Sequence, residues 1–412
     1  MAQRLRKDVR LLIISNMSHY RVPTSTMTAG VVGAWPSAVS EIDTLAQLFG
    51  QVRHLAVVHE EDAPAQAVPY LSRNIAVVPL RPSGGRGLVA KLGVLKHCLG
   101  YLRAIVRELS LADAVHVRTP CSVAAVALAV LVVSGRTRVR WFKYAGEWDG
   151  RRTEPLSYRL QRLWLRWGWT RGWVTVAAGR YSRRGRVVAL PSPCVSEAEL
   201  EQAWADTHDK EVSSPLRMVI CGRLEPDKDP LFAVALLADL GRRGINVRLD
   251  VAGDGQQRAA IEEAAKRAGL TVVLHGWLER QRLFDLFAQA HLIVAPSKTE
   301  GWPKALSEAM AHRVVPVASS VGAIPETLQR SGAGLSISSS SPEVWAREIE
   351  RLVRNPSHWR ILAEHAAASA AEFTFERYRQ RMARLLGLVH KVPEPPGLAR
   401  PTVDSEWLHN RI

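Results

Sequence analysis

The chain has 412 residues, more than a single hydrophobic core usually supports, so two domains are expected. Hydrophobic residues make up 47% and charged residues 23%, which excludes a wholly disordered or fibrous protein. The net charge of +16 leaves nucleic acid, an anionic membrane surface and acidic substrates as candidate partners. The four cysteines lack the spacing of a zinc site or a disulfide framework, which favours a reducing cytosol.

Two apolar stretches bear on membrane insertion. The basic N-terminal segment is followed by Val9–Ile14, which is too short for the core of a signal peptide and is interpreted as a strand. The longest run, Val123–Val133, is well below the roughly 20 residues that span a bilayer and is interpreted as a buried helix. We therefore expect a cytoplasmic protein, soluble or bound peripherally to the inner face of the cell membrane.

Short apolar runs predict two series of strands. The first series is Arg10–Ile14, Val52–Val58, Ile75–Pro79, Ala114–Val117, Val139–Lys143, Val174–Val176 and Val187–Leu190. The second series is Arg217–Cys221, Arg248–Ala252, Val272–His275, Leu292–Ala295 and Val314–Ala318. Segments with helical periodicity lie between them, among them Pro230–Arg243, Gln256–Ala268, Gln281–Ala290 and Pro303–Ala311. Such alternation is typical of parallel sheets in an α/β fold.

The polar segment Glu197–Pro215 separates the two series and has the composition of a linker. We therefore predict two Rossmann-like, doubly wound domains, at 1–210 and 211–388, that face a cleft. Ser336–Ser341 is interpreted as a loop, and the proline-containing tail at 389–412 is expected to be mobile. Ligands of such folds bind at the carboxyl ends of the strands, so the site is expected in the cleft.

The densest chemical signal is the segment Glu300–Met310, which follows a predicted strand. Pro303 favours the first turn of a helix, whose free N–H groups and partial positive charge suit a phosphate. Gly301 would let the backbone approach a ligand closely. Glu300 and Glu308 could accept hydrogen bonds from pairs of sugar hydroxyls. The alternative is an ordinary helix that carries solvated acids.

A second signal, Gly222, Arg223 and Lys228, follows another predicted strand. A guanidinium and an ammonium at a strand end can clamp a diphosphate, although such a segment alone is more often a surface loop. Asp227 and Asp229 flank Lys228, as in metal-dependent sugar transferases. The pattern is very short and cations are already supplied, so no metal is expected.

Two further turns follow strand ends in the same half of the chain. Gly253-Asp254-Gly255 could bind phosphate, but a tight turn is the simpler interpretation, and it lacks the glycine spacing of a dehydrogenase. Gly276-Trp277-Leu278 could present backbone groups to a nucleobase, while His275 is expected to pack. Four strand ends that face one cleft predict a common ligand.

Together these motifs make Arg217–Glu326 similar to the C-terminal donor domain of family 4 retaining glycosyltransferases, whose two-Rossmann architecture is called GT-B. The matching motifs are Gly222-Arg223 with Lys228, Gly253-Asp254-Gly255, Gly276, Pro296-Ser297, Glu300 with Glu308, and Pro316-Val317 with Pro325-Glu326. The resemblance implies an acceptor domain at 1–210 and a nucleotide-sugar donor domain at 211–388.

The resemblance also implies roles for single residues. Arg223 and Lys228 would hold the donor diphosphate, Glu300 would contact the donor sugar, and Glu308 would bind the ribose hydroxyls. The predicted donor-binding set is Gly222, Arg223, Lys228, Gly253, Gly276, Trp277, Leu278, Glu300, Gly301, Trp302, Pro303 and Glu308. The predicted catalytic set is His116, Glu300, Arg223 and Lys228.

The N-terminal half matches this family less closely. His116 lies in a strand that resembles the family's strand ending in a histidine near the reacting sugar; the alternative is a buried structural histidine. Paired glycines after the first strand are not evident, because Ser15–Arg21 takes their place and Gly30 and Gly33 come later. Lys143–Trp148 follows a strand and is either an acceptor loop or ordinary loop packing.

The segment 151–186 is basic and rich in tryptophan, with ten arginines and one acid, Glu154. The arginines are Arg151, Arg152, Arg159, Arg162, Arg166, Arg171, Arg180, Arg183, Arg184 and Arg186. A helix from Leu156 would carry Leu156, Leu160, Leu163, Trp164 and Trp167 on one face and Arg159, Arg162 and Arg166 on the other. We expect the apolar face to pack on its own domain. The alternative is docking of the arginine surface to an anionic membrane. Nucleic acid is not expected, because no recognised binding module is present.

We therefore predict a retaining, hexosyltransferase-type enzyme that needs no cofactor. It would move a sugar from a nucleotide-diphosphate sugar to a glycan or lipid-linked acceptor in cell-surface polysaccharide or glycolipid biosynthesis. The alternatives are a sugar-nucleotide epimerase or phosphorylase on the same fold, and a non-catalytic membrane or nucleic-acid adaptor. Hydrolysis of the donor would separate the enzymes from the adaptor.

Overall fold

The computed structural model describes residues 9–22, 30–82, 88–134, 139–148, 150, 155–177 and 186–388. The predicted mobile tail lies outside this set, as do five of the ten arginines of the basic segment: Arg151, Arg152, Arg180, Arg183 and Arg184.

The described strands form two sheets. The first contains β1 (Arg10–Arg21), β2 (Val31–Gly33), β3 (Gln51–His59), β4 (Val68–Pro69), β5 (Ile75–Leu80), β6 (Ala114–Thr119), β7 (Val139–Tyr144), β8 (Trp173–Val176) and β9 (Val187–Ala189). The second contains β10 (Leu216–Cys221), β11 (Val247–Ala252), β12 (Val272–Gly276), β13 (Leu292–Ala295), β14 (Val315–Ser319) and β15 (Leu335–Ile337).

Helices cover both sheets. In chain order they are α1 (Pro36–Ala46), α2 (Leu88–Leu109), α3 (Ser122–Val133), α4 (Leu156–Trp167), α5 (Glu197–Asp206), α6 (Leu231–Arg242), α7 (Arg258–Arg267), α8 (Arg280–Gln289), α9 (Lys304–Ala311), α10 (Ile324–Ser331), α11 (Pro342–Val353), α12 (Pro356–Ala370) and α13 (Phe375–Leu385). Among the described helices, none combines the length and the apolar character that crossing a bilayer requires.

Both sheets have doubly wound strand order, which confirms the predicted fold class. The parallel strands run β5-β3-β1-β6-β7-β8-β9 in the first sheet and β12-β11-β10-β13-β14-β15 in the second. Chain order reverses between β1 and β6 and again between β10 and β13. These are the switch points at which such folds bind ligands. The short strands β2 and β4 extend the first sheet by antiparallel pairing.

The last helix crosses from the second sheet to the first. Tyr378 and Met382 of α13 are buried in one cluster with Leu11, Ile13 and Trp141 of the first sheet. In the other direction, Leu200 of α5 packs in the core of the second sheet, with Phe287 among others. The two halves therefore exchange helices rather than meeting at a simple linker.

Three local expectations differ from the structure. Ser15–Arg21, expected as a loop, continues β1, because β3 pairs with it beyond a register shift between Ile14 and Ser18. The expected linker contains α5, which begins with a capping box formed by Ser196 and Glu199. The serine-rich loop begins two residues later than predicted, because Ser336 and Ile337 belong to β15.

Helix α4 is turned the opposite way from the expectation. Leu156, Leu160, Leu163 and Trp167 are exposed, whereas Arg162 is buried. The prediction that the leucine face packs on the domain is wrong. The reason is non-local: the arginine side of α4 meets polar atoms of neighbouring segments, which periodicity alone does not reveal.

Candidate active site

The switch point of the second sheet brings Lys228 and Glu300 together. Lys228 lies in the loop after β10, and Glu300 lies in the loop after β13. The ammonium of Lys228 contacts Oε1 of Glu300, and Oγ of Ser297 donates to the same oxygen at 3.2 Å. The amide of Lys298 also donates to the carbonyl oxygen of Asp227 at 2.9 Å. Two loops predicted separately therefore form one charged, partly buried surface.

Arg223, the other half of the predicted diphosphate clamp, points into solvent. Its side chain is 69% exposed and lies 3.7 Å from Asp227, whereas the side chain of Lys228 is 24% exposed. Asp229 pairs with Lys298 at 3.2 Å. Both aspartates of the short acidic pattern are thus neutralised by cations. Among the described residues no cluster of three carboxylate, histidine or cysteine ligands is present.

The glycines of the predicted site hold its loops together. Gly253 has a φ of +142°, and a Cβ there would lie 1.8 Å from the carbonyl oxygen of Gly222. The Gly222 amide donates to Ala252 at 3.0 Å, and the Gly253 amide donates to the carbonyl oxygen of Gly276 at 2.7 Å. The loops after β10, β11 and β12 are therefore in direct backbone contact, and only glycine fits at 253.

Glu308 lies in α9, and its partner is a residue that the sequence reasoning missed. Arg280 donates to Oε1 of Glu308 at 3.3 Å, to Glu199 at 2.6 Å and to the carbonyl oxygen of Cys194 at 2.6 Å. Burial raises the pKa of the Glu308 carboxyl, and the guanidinium of Arg280 partly offsets this shift. Arg280 lies in α8, and nothing in the sequence pattern indicates that it reaches Glu308.

The two tryptophans of the predicted donor set have different surroundings. Nε1 of Trp302 donates to Oγ of Ser307 at 2.7 Å, and its ring stacks on Phe373 with centroids 5.3 Å apart. Trp302 thus braces its loop against the core. Trp277 is exposed and Leu278 is half-buried, so this turn is open to a ligand. His275 pairs with Asp250 at 2.8 Å, a polar contact in place of the expected packing.

The Glu300 loop is held by close backbone contacts with residues 322 and 323, and it also approaches the other half of the molecule. A Cβ at Gly322, whose φ is +55°, would lie 1.9 Å from the carbonyl oxygen of Glu300. The Ala323 amide donates to the carbonyl oxygen of Gly301 at 2.7 Å. A Cβ at Gly301 would lie 3.3 Å from the carbonyl oxygen of Ala145, in the candidate acceptor loop. Pro303 is the N-cap of α9, so the helix begins one residue later than expected.

A buried carboxylate, Glu41 of α1, gathers cations from both halves beside this loop. Nζ of Lys143 donates to its two oxygens at 2.6 and 2.7 Å, and Arg118 donates at 2.9 Å. Lys304 of α9 lies 3.7 Å away, and the hydroxyl of Tyr378 donates at 3.3 Å. Burial acts to raise the pKa of the Glu41 carboxyl, but the three surrounding cations outweigh it and hold that pKa well below its usual value. Sequence reasoning missed Glu41 because its partners are distant in the chain.

His116 lies in β6, two residues before Arg118 of this cluster, and is fully buried. Its ring stacks on Trp141 with centroids 4.6 Å apart. Burial, reinforced by Arg118, lowers the pKa of His116 to about 3, so the ring is neutral at pH 7. Within the described residues its Nε2 has no hydrogen-bond partner. The structure therefore places His116 in the core, where it does not reach the open cleft.

A cavity of about 610 Å³ lies between the two halves of the molecule. Its lining comes from both halves and includes Trp173, Glu326 and Arg381. None of the predicted donor-binding residues lines it, whereas Glu326, the last residue of the matched motifs, does.

Comparison with known proteins finds a family similarity in the half that carries this site. Residues 206–370 match the family model described as glycosyl transferases group 1. The match covers about two fifths of the chain. The resemblance drawn from the motifs is thereby confirmed. The matched segment contains Lys228, Glu300, Glu308 and the newly found Arg280.

A curated relative and two solved structures extend the comparison. The chain is similar to a GDP-mannose-dependent alpha-(1-6)-phosphatidylinositol dimannoside mannosyltransferase of Mycobacterium tuberculosis. The two are 30% identical over 193 residues, covering 46% of this chain and 47% of the relative. The chain thus matches about half the length of this relative.

Solved structures cover both halves. A sucrose-phosphate synthase from Thermosynechococcus elongatus aligns with 92% of this chain and 98% of its own at a TM-score of 0.66 and 16% identity. HepE from Anabaena, in complex with UDP and glucose, aligns with 92% and 99% at a TM-score of 0.62 and 15% identity. These likenesses establish the shared GT-B fold.

Proposed function

We propose that this protein transfers a sugar from a nucleotide-diphosphate sugar to an acceptor, with retention of anomeric configuration. The observation that carries the proposal is the contact between Lys228 and Glu300 at the switch point of the second sheet. An ammonium suits the diphosphate of a donor, and an adjacent carboxylate suits the hydroxyls of its sugar. An ion pair that served stability alone would not need to lie at the open end of a parallel sheet.

The proposed chemistry follows from where charge develops. When the glycosidic bond breaks, the leaving nucleotide diphosphate gains negative charge next to Lys228 and the start of α9. Arg223, exposed in this structure, would contribute less to holding the diphosphate than Lys228 does. Glu308, held by Arg280, would accept hydrogen bonds from the ribose. Attack from the same face, assisted by the leaving phosphate, needs no carboxylate nucleophile. The predicted role of His116 stays a prediction, and its burial argues against contact with a sugar.

Donor and acceptor are proposed only by class. The mycobacterial relative is named for GDP-mannose and phosphatidylinositol dimannoside, and the Anabaena structure holds UDP and glucose. The diphosphate is common to both donors, so the base and the sugar are left open. We propose a glycan or lipid-linked acceptor, in cell-surface polysaccharide or glycolipid biosynthesis, at the inner face of the membrane.

The test is a panel of UDP- and GDP-sugars incubated with the purified protein. Release of nucleotide diphosphate is measured by chromatography, and the anomer of the product is read by NMR. One donor should be cleaved, and Glu300→Gln should lower its turnover about a hundredfold. Glu262→Gln is the matched control, because it makes the same change at an exposed residue of α7, and it should leave turnover unchanged.

Two results would count against the proposal. Donor binding without any release, in protein with normal thermal unfolding, would favour the non-catalytic adaptor. Equal turnover in Glu300→Gln and wild type would remove Glu300 from the reaction.

A further inference from the structure

Helix α4 and the turn that follows it expose an unusual amount of apolar surface. The exposed fractions run from 38% to 70% for Leu156, Leu160, Leu163, Trp167 and Trp169, which together we call the Leu-Trp surface. Single exposed apolar residues are common on proteins and need no explanation. A contiguous set on one helix face, however, marks an interaction site.

The opposite face of α4 explains why the helix keeps this orientation. Arg166 donates to the carbonyl oxygen of Trp148 at 2.6 Å and lies over the Trp148 ring, 5.2 Å from its centroid. Oε1 of Gln161 accepts a hydrogen bond from the Cys121 amide at 3.2 Å. Arg162 and Leu165 are buried. Rolling the helix to hide its leucines would break these contacts, so the Leu-Trp surface is a fixed feature of the fold.

The side chains of the Leu-Trp surface suit the boundary between lipid headgroups and acyl chains. Tryptophan, with an apolar body and one N–H, is enriched at that depth, and leucine adds insertion. The rings of Trp167 and Trp169 cluster with centroids 4.7 Å apart. On the neighbouring helices α2 and α3, Leu99, Val106 and Val133 are also exposed.

The segment that carries the Leu-Trp surface is basic. Residues 155–177 contain four arginines and no acidic residue, and Arg171 and Arg186 at its edge are exposed. Anionic lipid headgroups are complementary to this rim of exposed arginines. A nucleic acid fits less well, because Arg162 and Arg166 are held inward by protein contacts.

We propose that the Leu-Trp surface of α4 inserts into the headgroup region of an anionic bilayer. The arginine rim binds the lipid phosphates, and the leucines and tryptophans enter the apolar layer. This differs from the alternative drawn from periodicity, in which the arginine face of the helix met the membrane. Because Arg166 and Arg162 contact the segment that leads from Ala145 to Trp148, docking would hold the candidate acceptor loop close to the lipid surface. Only this last point rests on the proposed function.

The test uses the full chain and vesicles of phosphatidylglycerol mixed with phosphatidylcholine, with pure phosphatidylcholine as the neutral comparison. Co-sedimentation is measured at low and high salt. Leu160→Ser/Leu163→Ser should bind the anionic vesicles about tenfold more weakly than wild type at both salt concentrations. Ile361→Ser, at an exposed apolar residue of α12, is the matched control and should bind like wild type. Arg171→Gln should weaken binding at low salt only.

Three outcomes would overturn the proposal. Wild type could stay in the supernatant with anionic vesicles at low salt. The leucine variant could bind vesicles as wild type does. Wild type could be a dimer in solution that the leucine variant converts to monomers without any vesicle binding, which would assign the surface to a second copy of the chain. Donor hydrolysis in solution, which the leucine variant should retain, separates these outcomes from failure of the proposed function.

Discussion

Nζ of Lys304 donates a hydrogen bond to the carbonyl oxygen of Ser37 at 2.9 Å and so joins the first residue of α9 to the first turn of α1. The same ammonium lies 3.7 Å from the buried carboxylate of Glu41. The ammonium of Lys304 therefore links the loop that carries Glu300 to the other half of the molecule. Opening of the cleft would break both of its contacts.

We expect Lys304→Met to favour the open cleft and to lower turnover about tenfold, because a hydrogen bond from a charged group contributes about 1.5–3 kcal/mol. Small-angle scattering with and without nucleotide diphosphate measures the opening, and steady-state kinetics measure the turnover. Lys266→Met, on the exposed side of α7, should change neither. An unchanged scattering profile in Lys304→Met would show that this contact does not hold the cleft closed.

The two cations of the predicted diphosphate clamp should contribute unequally. Lys228→Ala removes a partly buried charge and leaves Glu300 without its cation, so binding of nucleotide diphosphate should weaken by about 2–4 kcal/mol. Arg223→Ala removes an exposed side chain, and its loss should cost about 1 kcal/mol or less. Isothermal titration calorimetry compares them. A larger loss from Arg223→Ala would mean that the loop rearranges strongly on binding.

The two glutamates should separate in steady-state kinetics. Glu308→Gln should raise the Michaelis constant for the donor about tenfold with little change in turnover, because ribose contacts are alike in the ground and transition states. Glu300→Gln should mainly lower turnover. Arg280→Met should resemble Glu308→Gln, since Arg280 holds that carboxylate. Identical behaviour of the two glutamine variants would contradict this division of roles.

The contact between the loops after β10 and β11 predicts a large stability effect. Gly253→Ala would place a Cβ 1.8 Å from a backbone oxygen at a φ of +142°, so we expect it to lower the free energy of unfolding by more than about 3 kcal/mol. Gly244→Ala has a φ of +75° and open space around it, and should cost about 1 kcal/mol. Urea unfolding compares them. Equal losses would mean that backbone strain, not the contact, sets the cost.

Acidification should destabilise the fold through buried neutral histidines. Burial lowers the pKa of His116 to about 3 and that of His19, His291 and His312 to about 4, against 6.5 for an exposed histidine. The unfolded chain therefore binds more protons between about pH 4 and 6.5, and stability is lost as pH falls through that window. Urea unfolding at pH 7.5 and 5.5 should show a loss of roughly 1 kcal/mol per histidine.

His116→Phe should lose less stability on acidification than wild type, because it removes one of these groups and keeps a ring on Trp141. Trp167→Phe provides the control, since it changes an exposed ring that carries no titratable group and should leave the pH dependence unchanged. A pH dependence that is unaffected by His116→Phe would assign the effect to other groups.

The candidate site of the second sheet was predictable because its polar residues lie just after the ends of the strands. Parallel strands bring those ends to one edge of the sheet. Lys228 and Glu300 are 72 residues apart in sequence, yet strand order alone placed them together. Arg280 and Glu41 were not predictable, since each acts through partners from other elements. The predicted orientation of α4 was wrong for the same reason. Periodicity distinguishes the two faces of the helix, but contacts with Trp148 and Cys121 decide which face is buried.

The placement of α13 has a consequence for how the protein is made. Synthesis runs from the N-terminus, and domains generally fold as they emerge from the ribosome. Here Leu11, Ile13 and Trp141 are covered by Tyr378 and Met382, which are translated last among the described helices. The nascent first sheet would therefore keep an apolar face uncovered until α13 has been synthesised. We expect premature termination just before Phe375 to leave that early-made half insoluble, and ribosome-bound chaperones to be needed until α13 emerges.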